Sequence, residues 1–386
     1  MLRTLGARAR TPLALALTST LVAVLATWWL VEPGTNPFGD TAGSVSVVAL
    51  LPEPLPATLL LLAGLLGLTV ALSLQVVART PAQRRRLVAP AATVTAVLAL
   101  ACMDTQLISF TGYLVAMTIP FVAITLLVAA LRRSTAARVT AVVVASLVAW
   151  WGATSGSLAP GAVTEMVREL GGGFARVGAR PWILAGLALA TVQWWTAVLS
   201  LATPLTARLR LPSARLDRLT TVATVVAVLG PLPYVTVRAT WLLPDAVFVG
   251  PITPEDLDPS MRLWGLMLGA AALGGAILTL GLIRPWGRVF PTWMPYVGGR
   301  AVPLAAAAVP GYAVAFVLTA SAPSIALMSF EQAADGDTGA LWMLLLLPFW
   351  LWGPALAVAV WGYVRRRRLT DPSTPHPDPV PGRMAA

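Results

Sequence analysis

The chain has no lysine, one histidine, one cysteine and very little charge. All 27 basic residues are arginine, against 16 acids. Without lysine there is no P-loop lysine and no Schiff-base chemistry. The one histidine, His376, lies in a Pro-rich tail, so imidazole-based metal sites and Ser-His or Cys-His catalysis inside the fold are excluded. The one cysteine, Cys102, sits in an apolar run; it cannot form an internal disulfide and reads as a small buried hydrophobe. Only 11% of residues are charged, less than half of what a soluble domain carries, where about a quarter is usual. No cofactor is expected from these residues.

What is present is apolar: 57% hydrophobic residues and a mean hydropathy of +0.78. The solvent for most of the chain is therefore lipid, and the useful unit is a span of about 20 apolar residues. Ten such spans can be drawn: Pro12–Val31, Pro56–Ala78, Leu87–Met103, Gly112–Leu131, Val139–Leu158, Trp182–Leu205, Leu219–Leu243, Arg262–Ile283, Ala301–Ala320 and Leu341–Val364. The expected fold is an all-α integral membrane bundle, with residues 1–11 as a basic N-terminus, 12–364 as the bundle and 365–386 as an Arg-rich, Pro-rich disordered tail. The first run is read as a retained span; it is longer than a usual signal-peptide core and ends in Trp28-Trp29.

Arginine placement sets the expected orientation. With the N-terminus in the cytoplasm, 22 of 27 arginines fall on cytoplasmic segments and only Asp217, Asp371 and Asp378 of the 16 acids do. Both ends are then cytoplasmic. Trp28, Trp29, Trp182, Trp241 and Trp342 near the outer ends, and Trp286, Trp293, Tyr296, Trp361 and Tyr363 near the inner ends, read as aromatic belts. Weak echoes between halves (Trp-Trp in spans one and six, a mid-helix proline in four and nine, Trp-Gly in five and ten) raise a five-plus-five inverted repeat. Chance matches are easy with 15 tryptophans, so the repeat stays an alternative.

Two outer segments are informative. Ala162–Leu170 places Val163, Met166, Val167 and Leu170 on one face and reads as an interfacial amphipathic turn or two, ended by Gly171-Gly172-Gly173. Glu255, Asp256 and Asp258 cluster, but Thr253-Pro254 and Asp258-Pro259 are better read as helix starts.

Polar residues inside spans are the default functional candidates. Gln193, beside Trp194-Trp195 in the sixth span, and Arg238, after "GPLPYVTV" in the seventh, are the main ones. Their ordinary readings are an interhelical hydrogen bond and snorkelling to outer headgroups. The functional reading is a cavity lined by Gln193, Trp194, Tyr234 and Arg238. Asp104 and Glu331, near outer helix ends, are the acids left for a proton relay. Pro120, Gly230-Pro231, Pro310-Gly311 and Gly353-Pro354 interrupt four spans, as substrate-site helices of transporters are interrupted.

The stretch "RPWGRVFPTWMPYVGGRAVP" (284–303) is too broken to cross a membrane and too aromatic for a plain linker. It reads as a rigid cytoplasmic interfacial hairpin. Its prolines forbid a continuous helix and its glycines permit reversals. Trp286 and Trp293 suit the headgroup layer, while Arg284, Arg288 and Arg300 face anionic phospholipid headgroups. The plain role is an anchor fixing helix depth; the sharper one is a gate or dock.

This stretch resembles a loop of uncharacterised multi-pass membrane proteins of high-GC bacteria, which carry R-P-W-G-x-V-x-P-x-W-x-P-x-x-x-G-R-x-V-P between two spans. The resemblance covers about 20 residues plus the all-arginine style of the chain. It implies residence in a bacterial inner membrane and no activity. The leading functional reading is a permease or exporter for a small solute. One alternative is a non-transporting scaffold, sensor or partner subunit. Another is a membrane-embedded transferase using outer acids such as Glu32, Asp40 and Glu53. The partners expected are the bilayer and a small-molecule substrate, not nucleic acid.

Overall fold

The computed structural model describes residues 2–38, 45–77, 80–132, 135–206, 212–243, 246–247, 257–292, 294 and 297–369. Among them the chain is helical, and nine helices or helix pairs are long and apolar enough to cross a membrane. No strand occurs among the described residues, only two isolated antiparallel bridges, Ser46 with Asp104 and Val289 with Ala301.

The chain folds as two packed lobes with a bridge between them. In the first lobe, α1 (Leu2–Val31) lies along α2 (Leu55–Val76), α4 (Val88–Ala101) packs on both α2 and α9 (Arg180–Thr206), and Leu15, Leu60, Leu98, Leu184 and Trp194 form the core. In the second, α10 (Ser213–Leu229) and α13 (Leu304–Ala334) flank α15 (Phe349–Leu369), which follows the short α14 (Met343–Leu346), burying Leu318, Phe349, Leu356, Val360 and Tyr363. Helix α5 (Thr105–Ala116) joins them, packing on α9 of the first and α13 of the second, and it also packs on α12 (Pro259–Leu280), which meets α10 and α11 (Leu232–Thr240). Helix α1 lies along α2, whereas α9 and α10 are not major neighbours.

The span Leu87–Met103 is the one that falls short. Its helix α4 has 14 residues, about 21 Å at the usual rise, against the roughly 30 Å of a hydrocarbon core. It is preceded by α3 (Pro81–Arg86), opened by a capping box in which Thr80 Oγ accepts from Gln83 N and Gln83 Oε1 accepts from Thr80 N. The far end of α4 returns to the α1–α2 connection, where Val47 N donates to Met103 O at 2.9 Å and Thr105 N to Val45 O at 3.0 Å.

Helix breakers split into two kinds. Pro120 and Gly230-Pro231 do interrupt: α5 stops before α6 (Ile119–Leu131), and α10 stops before α11. Pro310-Gly311 and Gly353-Pro354 do not; α13 and α15 run straight through them. There the small residues serve packing. A Cβ on Gly311 would come within 2.7 Å of Val360, and Gly353 meets Thr319 with no room for a side chain. Helix α13 also continues well past the expected Ala320, through Pro323, to 31 residues.

Three further expectations are corrected. The amphipathic segment is not a turn or two: α8 (Pro160–Val177) runs through the three glycines, packs on α12 and ends before Gly178 at φ +62°. The four arginines 365–368 belong to the last turns of α15, not to a tail. Trp29, Trp241 and Tyr363 are buried in protein, so they are not belt residues, whereas Trp28, Trp182, Trp286, Trp342 and Trp361 are exposed as a belt requires. By contrast α6 and α7 (Thr135–Ser155) leave nearly all their apolar side chains uncovered, as lipid-facing helices do.

Candidate functional site

The most deeply buried charges lie where α4 turns into α5. Asp104 is the N-cap of α5, extended at φ −145° and ψ 135°, and its Oδ1 accepts from Gln106 N at 2.8 Å. Its Oδ2 accepts from Arg180 Nη2 at 2.6 Å and Nε at 3.2 Å. Arg180 opens α9 and is 3% exposed; Asp104 is 0% exposed. Neither charge could sit there alone, because an uncompensated buried ion costs several kcal/mol. The T-shaped contact of Phe110 with Trp182, centroids 5.0 Å apart, fastens the same two helix ends. Cys102, two residues before Asp104, is fully buried with Thr191 Oγ 3.8 Å from its sulfur, as expected of a small core residue.

Sequence reading missed this pair. Asp104 and Arg180 are 76 residues apart, and each stands at the end of an apolar run, where a solvated charge is ordinary. The available signal was that Asp104 has no basic neighbour in sequence and is followed by Thr105-Gln106, a helix-start pattern. Glu331, the other acid considered for a relay, is exposed.

The four candidate cavity residues fall on two elements. Trp194 is fully buried in the first lobe, fitted over Gly67, where an added Cβ would sit 3.0 Å from its ring. Gln193 beside it is partly buried. Their helix, α9, packs on α4, α5 and α1. Tyr234 and Arg238 lie one turn apart on α11, which packs on α12. The Arg238 guanidinium lies 5.0 Å from the Tyr234 ring centroid and 3.9 Å from that of Trp241. Tyr113 of α5 is within electrostatic reach of Tyr234 and Arg238 and stacks edge-on to Trp264 of α12 at 5.1 Å. The structure thus brings Tyr234 and Arg238 into an aromatic cluster that includes Trp241, Trp264 and Tyr113, residues far apart along the chain and grouped only by the packing of α5, α11 and α12.

At the opposite end, residues 284–303 form the expected hairpin where they are described. Phe290 N donates to Arg300 O, Gly299 N to Phe290 O and Val302 N to Arg288 O, each at 2.9 Å. Gly299, at φ +77°, supplies the reversal. Arg284, Trp286, Arg288 and Arg300 are exposed; Trp293 and Tyr296 lie outside the described residues. The hairpin is bound to α15: Tyr363 Oη donates to Gly287 O at 2.6 Å, Arg366 Nη2 to Leu282 O at 2.9 Å and Arg367 Nη2 to Val302 O at 3.0 Å. Arg366 also reaches Asp217 of α10 at 3.6 Å.

Two of the three acids weighed for a transferase lie within the described residues. Glu53 accepts a hydrogen bond from Asn36 Nδ2 at 2.8 Å, Glu32 is exposed and Asp40 lies outside the described residues. Among the described residues no three His, Cys, Asp or Glu side chains group to hold a metal ion. No protein-family model, curated protein or solved structure matches the chain.

Proposed function

We propose that this multi-pass membrane protein is a permease or exporter for a small amphipathic solute, residing in a bacterial inner membrane. The observation that carries the reading is Arg238: a half-buried cation inside a candidate span, ringed by aromatic side chains just beyond a helix break. Charged residues inside spans face partners or water-filled cavities. Broken helices at such places mark substrate sites in transporters. In this reading Tyr234 and Arg238 line one wall of an outward-facing cavity, and Gln193 and Trp194 belong to the facing lobe.

The proposed topology is ten crossings with both ends cytoplasmic. What supports the tenth crossing is the return of the α4 end to the α1–α2 connection. Together α3 and α4 bring the chain back across the thickness that α2 has just traversed. The exposed Arg284, Arg288 and Arg300 then face anionic headgroups of the inner leaflet.

The single cysteine makes the test direct. In a Cys102→Ala background, Gln193→Cys and Tyr234→Cys are exposed in intact cells to a small membrane-impermeant thiol reagent. A cavity open to water predicts labelling of both, with a lipid-facing control such as Val143→Cys unlabelled. Absence of labelling at both positions, with the variants inserted normally, removes the permease reading.

A further inference from the structure

Two arginines converge on Trp241 where α11 meets α12. The Arg238 guanidinium lies over the indole, 3.9 Å from its centroid. Arg262 Nη1 donates to Trp241 O at 3.0 Å and to Leu243 O at 3.2 Å. Trp241 itself is 1% exposed, and its indole N–H is taken by Val247 O at 3.2 Å. On α12, Arg262, Gly265 and Gly269 follow at helical spacing and share one face. That face receives the site. Gly265 packs against the Trp241 ring with no room for a side chain, and a Cβ there would lie 3.1 Å from Arg238 Nη1. A Cβ on Gly269 would lie 2.9 Å from Arg238 Cβ.

Both arginines are only partly exposed. Among the described residues neither has an ion pair, and Arg238 has no hydrogen bond. Aromatic faces satisfy the flat sides of a guanidinium but not its N–H edges, which lie in the plane of the group. Arg238 lies on the ring and Arg262 on the backbone carbonyl of the same residue, so two like charges meet at Trp241 with no carboxylate paired to either among the described residues. Electrostatics and unspent donors therefore call for the same thing, an anion with several oxygens.

We infer that Arg238 and Arg262 form a binding site for a phosphate-type oxyanion, gripped at the N–H edges of the two guanidiniums beside the Trp241 wall. This rests on the reading of Tyr234 and Arg238 as cavity lining. The chemistry is shared by a free phosphate or phosphate ester and by an anionic lipid headgroup of the outer leaflet. Guanidinium edges match such oxygens as paired donors.

The test is binding to full-length protein in phosphatidylcholine nanodiscs. Inorganic phosphate is titrated against chloride at constant ionic strength by calorimetry. In parallel, discs carrying phosphatidic acid are used, and lipid retained after detergent transfer is counted by native mass spectrometry. The wild type binds at least one probe saturably, and Arg238→Gln weakens it about tenfold or more, with Arg238→Lys between. A saturable phosphate response identifies a soluble ligand; retained phosphatidic acid without one identifies a headgroup. If Arg238→Gln does not fold, Gly269→Ala, which shifts the Arg238 side chain, must weaken the same binding. Wild type that binds neither probe above the chloride and phosphatidylcholine controls overturns the site, as does unchanged affinity in a folded Arg238→Gln. Binding is scored without transport. Binding without thiol labelling of the cavity cysteines sinks the permease reading alone, and labelling without binding sinks this inference alone.

Discussion

The two ends of the bundle are both held together by arginine, in opposite ways. At one end, Arg180 and Asp104 are almost completely buried and satisfy each other. At the other, Arg366 and Arg367 reach backbone carbonyls of the hairpin and its flanks, and the acid paired with Arg366, Asp217, is 59% exposed at 3.6 Å. A buried pair is all or nothing, because removing one partner strands the other charge in low dielectric. A set of arginine-to-carbonyl bonds is divisible: each loss leaves a neutral acceptor, which costs far less than a stranded charge. The first arrangement fixes where α4, α5 and α9 meet. The second can yield one bond at a time, which suits a loop that anchors or gates.

The contrast can be broken at four points. The largest effect is expected at the buried pair: Asp104→Asn or Arg180→Gln alone should destabilise by about 3–5 kcal/mol. Replacing both by apolar residues of similar volume should recover much of that. Thermal melts of the two single variants and the double variant in detergent decide it, and a double variant as unstable as the sum of the singles contradicts mutual compensation.

Next comes the packing that sets α15 against α10. Gly362 faces Thr220 with no room for a Cβ, so Gly362→Ala should cost about 1–3 kcal/mol through overpacking. A melt unchanged from wild type would show that the helices part freely there.

Smaller again are the hairpin staples. Arg366→Gln and Arg367→Gln should each cost about 1 kcal/mol, and Asp217→Asn, at the exposed partner of Arg366, less. Trypsin-independent proteolysis of the 284–303 hairpin should rise stepwise from single to double variant; a collapse with either single change would make this end as indivisible as the other.

The smallest effect is at the start of α12. Burial pushes the Asp258 carboxyl up, but the Met261 N–H and the Ser260 hydroxyl and N–H outweigh it, leaving it below the ordinary carboxylate range. A group depressed on folding contributes stability above its unfolded pKa and loses it as pH falls through the depressed value. The melting difference between wild type and Asp258→Asn should therefore be greatest near neutral pH and shrink in acid. A difference that grows in acid would reverse the sign.

What was legible in the sequence follows this same division. The hairpin could be read because Pro285, Pro291 and Gly299 act on their own backbone, and local chemistry shows in local sequence. The start of α12 at Asp258 was legible for the same reason. The Asp104–Arg180 pair was not, since only the packing of α5 against α9 joins them. Nor was the passage of α13 through Pro323, where neighbouring helices, not propensity, decide whether a proline breaks the rod. The Trp241 wall was hidden because a tryptophan near a span end looks alike whether it faces headgroups or, as here, takes a guanidinium on its face. Helix α4 was legible in existence but not in length.

The central claim is that the short α4 crosses, so that the arginine-stapled end and both termini share one side. Reporter fusions after Arg86, Arg133, Arg218 and Arg368, scored for cytoplasmic or outer activity, test it most directly. Ten crossings predict all four in the cytoplasm. If α4 does not cross, Arg86 stays inside while Arg133, Arg218 and Arg368 report the outer face, and the account is contradicted.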